Sequence, residues 1–177
     1  MEAEPDQESV ARAIALRQLT AAPRSRAQLA EAMARRDVPQ EVAERVLDRF
    51  TEVGLVDDAQ YAQMLVRTRH AERGMSRRAI ALELRRRGVD DETAVEALGQ
   101  IDADDEESAA RDVVRRKLRG MRGLAPEVQA RRLQGVLGRK GYPAGVVFRV
   151  VAEELAAAGD EPGGRPSPDA TVLELDD

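Results

Sequence analysis

The strongest constraint on this chain is a pattern that occurs three times. Three turn-forming residues, Asp37, Gly88 and Gly141, stand 51 and 53 positions apart, and apolar residues recur at fixed distances from each. Leu29, Ile80 and Leu133 precede their turn by eight positions, and Met33, Leu84 and Leu137 by four. Val38, Val89 and Tyr142 follow it by one, Val42, Thr93 and Val146 by five, and Leu47, Leu98 and Val151 by ten. Spacings of four before the turn keep side chains on one face of a helix. Recurrence at this period means one small helical unit used repeatedly.

The punctuation supports three helices in each unit. Ser9 is positioned to cap a first helix to about residue 21, with Val10, Ile14, Leu16 and Leu19 on its apolar side. Ser25 caps a second helix, Pro39 suits the first position of a third, and Gly54 suits its left-handed end. Asp57 and Asp58, Ser76, and Asp90 or Asp91 open the next three helices, and Gly74 and Gly88 close two of them. The stretch DADDEES, then Pro126 and Pro143, open the last three. The expected fold is all-α: three tandem three-helix repeats over residues 8–56, 57–103 and 104–158. Units of about 50 residues are small for a self-sufficient core, so neighbours should pack into an elongated, curved, solenoid-like row. Residues 159–177 hold three of the eight prolines and read as a flexible acidic tail, with ATVLELDD as a possible apolar plug.

Composition excludes several alternatives. With 34% charged and 2% aromatic residues, the chain suits helices with thin apolar stripes better than a β-sandwich or barrel. With no cysteine there is neither a disulfide framework nor a thiolate metal site. No apolar run approaches a membrane span, and the acidic start MEAEPDQES lacks the basic region of a secretory signal. A cytoplasmic monomer is expected. The net charge of −5 is unevenly spread: residues 61–150 carry a net +6 between acidic ends. A basic middle points to an anionic partner.

The second unit carries Asp57, Asp58, Tyr61, Ala62, Arg69, Gly74, Ile80, Leu84, Arg87, Gly88 and Val89 in an order that resembles the signature of the RecX family of recombination regulators. The likeness covers about residues 8–158 and is most specific in the middle. It implies a protein that binds the RecA recombinase, lies along its filament on single-stranded DNA, and inhibits its ATPase and strand exchange. The tail beyond residue 159 is outside the family pattern.

Candidate contact residues come from the basic middle. Arg111, Arg115, Arg119 and Arg122 share one face if their helix is continuous, although Gly120 could end it early. Four arginines on a stripe repel one another unless phosphates or carboxylates lie against them. Arg78, Arg85 and Arg86 form a second group, balanced against the ordinary preference for cations at a helix C-terminus. Arg69 and Arg73 complete the set. His70 is the only histidine and lacks a ligand or nucleophile partner. Gly120-Met121-Arg122-Gly123 resembles a nucleic-acid clamping loop but lacks the strands that loop requires. No nucleotide loop or catalytic pair stands out, so no enzyme, cofactor or metal is expected.

The competing function is direct DNA binding by a helix-turn-helix within residues 76–101. Its second helix, DETAVEALGQI, carries Asp91, Glu92 and Glu96 and no cation, which repels phosphates where a recognition helix must approach them. A nonspecific single-strand binder would need stacking platforms, and only Phe50, Tyr61, Tyr142 and Phe148 are aromatic. Weak electrostatic contact with single- or double-stranded DNA is compatible with the charge, and would fall steeply with salt.

Overall fold

The computed structural model describes residues 6–159, all of whose regular elements are helical. The first repeat holds α1 (Gln7–Ala21), α2 (Arg26–Ala34) and α3 (Gln40–Glu52). The second holds α4 (Asp58–Arg67), continued by a π-helical turn over Thr68–Glu72, then α5 (Arg77–Arg86) and α6 (Asp91–Leu98). The third holds α7 (Ala103–Leu118), a 3₁₀ turn at Arg119–Met121, α8 (Pro126–Arg139) and α9 (Ala144–Gly159). The expected tail and its ATVLELDD segment lie outside the described residues apart from Gly159.

Local chemistry explains most boundaries. Ser25 forms a capping box with Gln28, Asp57 caps α4, Ser76 caps α5, Asp90 caps α6, and Asp102 forms a box with Asp105 on α7. Pro126 sits in the first turn of α8, where its missing N–H costs nothing. Two starts differ from expectation. Asp6, not Ser9, caps α1, because its carboxylate accepts from the N–H groups of Glu8 and Ser9 and draws the helix three residues outward. Pro39 is the residue before α3, which begins at Gln40.

Each repeat has its own core, and the extensive helix–helix packing lies within repeats. The aligned columns explain those cores. Leu29, Ile80 and Leu133, then Met33, Leu84 and Leu137, are all fully buried. Val38, Val89, Tyr142, Leu47, Leu98 and Val151 are buried as well. The column at Val42, Thr93 and Val146 is only half-buried; its neighbours Ala43, Ala94 and Val147 point inward instead. In α1 the buried contacts are Ala11 and Ala15, while Leu16 is exposed. Alanine there permits close approach of α2 and α3, a role that bulk-based reading does not detect.

The repeats are joined end to end by a polar junction that occurs twice. At the first, the Ser25 hydroxyl donates to the Arg87 carbonyl, and the Arg26 N–H donates to Asp58 Oδ1 at 2.7 Å. At the second, the Ser76 N–H donates to the Lys140 carbonyl at 3.0 Å, and the Arg77 N–H to Glu106 Oε1 at 3.0 Å. In each case an acid from the following repeat completes the N-terminus of the preceding repeat's second helix, where free N–H groups favour negative charge. The following repeat's turn closes on the same helix end.

That closure explains the turn residues. Asp37, Gly88 and Gly141 all have left-handed backbones, with φ of 58°, 74° and 87°. A Cβ on Gly88 would lie 2.3 Å from the Cβ of Ala27, and one on Gly141 2.6 Å from that of Ala79. Asp37 has no other repeat against it among the described residues and is exposed, so a side chain fits. Aspartate is also among the residues that tolerate this conformation.

Candidate functional site: a basic groove across the second junction

Alternating exposure along α5 builds one wall of a groove. Ile80 and Leu84 point into the core, leaving Arg78, Leu82, Arg85 and Arg86 outward. The C-terminal end of α8 and its turn, with Arg139, Gly141 and Tyr142, form the opposite wall. The groove between them has a volume of about 1030 Å³. Arg78, Arg86 and Arg139 have no ion-pair partner among the described residues, and Arg85 pairs only with exposed Asp91, at 3.2 Å. The groove thus brings together the predicted Arg78, Arg85 and Arg86 with Arg139. Arg139 had a sequence signal: Arg139-Lys140 stands at the same place in its repeat as the arginines ending α5.

The one acid in the groove wall is neutralised. Glu83 accepts from Arg69 Nε and Nη2 at 2.8 and 2.7 Å and from Arg87 Nε and Nη2 at 3.0 and 2.7 Å. These bonds, Arg69's foremost, hold its carboxyl below the usual range despite partial burial. Arg69 lies in the π-helical turn that continues α4. Arg87 also donates to the Tyr61 hydroxyl at 2.8 Å, and that hydroxyl donates to Gln28 Oε1 at 3.3 Å. A hydrogen-bonded line therefore runs from the groove wall to the first repeat.

A second basic cluster flanks the groove. Lys140 Nζ donates to the Arg73 carbonyl. Burial pushes the Lys140 ammonium down, and the charges of Arg116, Lys117 and Arg73 push it further. The Tyr142 hydroxyl, raised in pKa chiefly by burial, donates to the Gly74 carbonyl at 3.1 Å. Arg116, Lys117 and Lys140 were not anticipated, since their proximity depends on the turn of one repeat meeting the first helices of two.

The expected stripe on α7 is divided. Arg111 Nη2 lies 2.6 Å from both Glu107 Oε1 and Glu153 Oε2, and Arg115 reaches both oxygens of Glu154 at 2.7 and 2.9 Å. Glu154 is buried and Arg149 joins Glu107 at 2.7 Å, so these charges clasp α7 to α9. α7 ends at Leu118; Arg119 enters the 3₁₀ turn and Arg122 follows it with φ −57° and ψ 132°. The glycine at position 120 breaks the common face, and both arginines are exposed.

Three family models match the chain in the order of its repeats. The first three-helix domain of RecX matches residues 11–50, the second 57–98 and the third 104–151. The chain belongs to the RecX family. A regulatory protein RecX from Thermobifida fusca is 56% identical over 151 residues, covering 85% of this chain and 82% of its own. One from Streptomyces coelicolor is 50% identical over 160 residues, covering 89% and 85%. A crystal structure of RecX from Lactobacillus salivarius superposes with a TM-score of 0.71 at 18% identity, covering 85% of this chain and 98% of that one. The RecX relatives are regulators by name, and the RecX architecture of three three-helix units is the one described above. Among the described residues, no helix is long and apolar enough to cross a membrane.

Proposed function

We propose that this chain regulates the RecA recombinase: it lies along the RecA filament on single-stranded DNA and inhibits its ATPase and strand exchange. The observation that carries this reading is the groove across the junction of the second and third repeats. Its unpaired arginines face outward on a rigid helix end, available to carboxylates or phosphates. Arg78, Arg85, Arg86 and Arg139 make the contact, with Arg73, Arg119 and Arg122 as flanking charges. Arg69, Arg111 and Arg115 act through their ion pairs, which hold the shape of the contact surface. The protein works as a cytoplasmic monomer, and its contact with DNA is electrostatic and secondary. α6 supports that order, because its exposed first turn carries Asp91 and Glu92.

The test is RecA-dependent ATP hydrolysis on single-stranded DNA. Substoichiometric amounts of this protein should suppress it. Unchanged hydrolysis with excess protein, under conditions where RecA filaments form, overturns the reading.

A further inference from the structure

The groove between α5 and the end of α8 is basic and apolar at once. Arg78, Arg86 and Arg139 are unpaired among the described residues, and Leu82 leaves 47% of its surface exposed beside them. Glu83, the one acid in the wall, is already shared by Arg69 and Arg87. Like charges around one cleft repel one another. An occupant that carries carboxylates next to a short apolar segment relieves that repulsion and covers Leu82.

One segment of this chain has that chemistry. In residues 170–177, Val172, Leu173 and Leu175 stand beside Glu174, Asp176 and Asp177. Its tether is long enough. α9 starts two residues past Tyr142 in the groove wall and carries the chain away by ~24 Å over 16 residues, at ~1.5 Å each. Residues 160–169 can extend back by up to ~33 Å at ~3.3 Å each. That stretch carries Pro162, Gly163, Gly164, Pro166 and Pro168, the composition of a linker.

We propose that residues 170–177 dock in this groove, so that an acidic surface of a partner must displace them to bind. The docking is independent of the partner's identity; only the displacement rests on the RecA reading.

The chain has no cysteine, so engineered pairs report without background. Leu82→Cys is combined in the full chain with Leu173→Cys, and separately with Leu175→Cys. The control pairs the same tail positions with Phe148→Cys, which is 59% exposed on α9 and closer to the tether's origin. A flexible tether alone supplies millimolar effective concentration to either position, so docking should make a groove pair close about tenfold faster than its control under glutathione disulfide. The advantage should shrink at 1 M salt, where the screening length falls to about 3 Å. Arg78→Glu with Arg86→Glu should abolish it while circular dichroism stays unchanged. Closure no faster than the control for both tail positions, or disulfides joining two copies in dilute solution, overturns the docking. Fast closure in a protein that leaves RecA hydrolysis untouched overturns the RecA reading and the displacement, and supports the docking.

Discussion

Gly141 and Ala79 touch across a repeat boundary so closely that a Cβ on the glycine would lie 2.6 Å from the alanine Cβ. Gly88 repeats the relationship with Ala27 at 2.3 Å. Both contacts press a turn of one unit onto the second helix of the unit before it. Gly88→Ala should therefore destabilise the protein by about 2–4 kcal/mol, from left-handed strain and overpacking together. Gly54→Ala, with φ 73° and nothing within 4 Å of the new Cβ, should cost only about 1 kcal/mol. Urea unfolding of the two variants checks the difference.

Ser25 should matter far more than Ser9. The Ser25 hydroxyl is fully buried, accepts from the Gln28 N–H and donates to the Arg87 carbonyl. Ser25→Ala removes a cap and leaves a carbonyl at the junction without its donor, at a combined cost of about 2–3 kcal/mol. Ser9 lies inside α1 behind its true cap, Asp6, so Ser9→Ala should stay within about 0.5 kcal/mol of the wild type. Thermal unfolding of the pair distinguishes the two roles.

Two carboxylates should affect stability with opposite dependence on pH. Burial pushes the Asp58 carboxyl up, against the Arg26 N–H that lowers it, with Asp90 raising it further. Its favourable contribution is present at acid pH and is lost as pH rises through the raised value. Asp58→Asn keeps an acceptor for Arg26 and drops the charge, so it should equal or exceed wild-type stability at pH 7. Any advantage should fade on acidification. Glu83 is held down by Arg69 and Arg87, so its contribution is present above the usual carboxylate range and disappears as pH falls through the lowered value. Glu83→Gln should cost about 1–3 kcal/mol at pH 7 and converge with wild type in acid. Unfolding free energies from pH 3 to 8 test both signs.

In the RecA hydrolysis assay, Arg78→Glu with Arg86→Glu should weaken suppression by tenfold or more, since about 1.4 kcal/mol lost at the contact is a factor of ten. The urea midpoint should stay near that of the wild type, because neither side chain has an ion-pair partner among the described residues. Arg115→Glu should lower the urea midpoint and raise amide exchange along α9, because it sets a like charge against Glu154. Loss of suppression without loss of stability at Arg115 would falsify the division of roles between α5 and α7.

The repeat columns were legible because helices answer to local chemistry. Leu29, Ile80 and Leu133 could be aligned from spacing alone; Ser25, Ser76 and Asp57 marked helix starts through bonds formed within three residues, and Pro126 through its fixed φ. Small residues were the blind spot. Ala11, Ala15, Ala43 and Ala94 are buried because neighbouring helices come close there, and nothing in their own chemistry distinguishes them from exposed alanines. The arginines were legible as a set and illegible as individuals. Arg86 and Arg87 adjoin in sequence, yet Arg86 is exposed and Arg87 binds Glu83 and Tyr61.

What the chain determined by itself is thus the number of helices, most of their caps, the threefold unit and the basic middle, all of which depend on residues a turn or two apart. Tertiary structure alone decided which charges remain available. Arg111 and Arg115 meet acids 42 and 39 positions away on α9, while Arg78 and Arg86 meet none among the described residues. A guanidinium's state depends on distances of 3 to 4 Å in space, and those distances are fixed only when separate helices pack against one another.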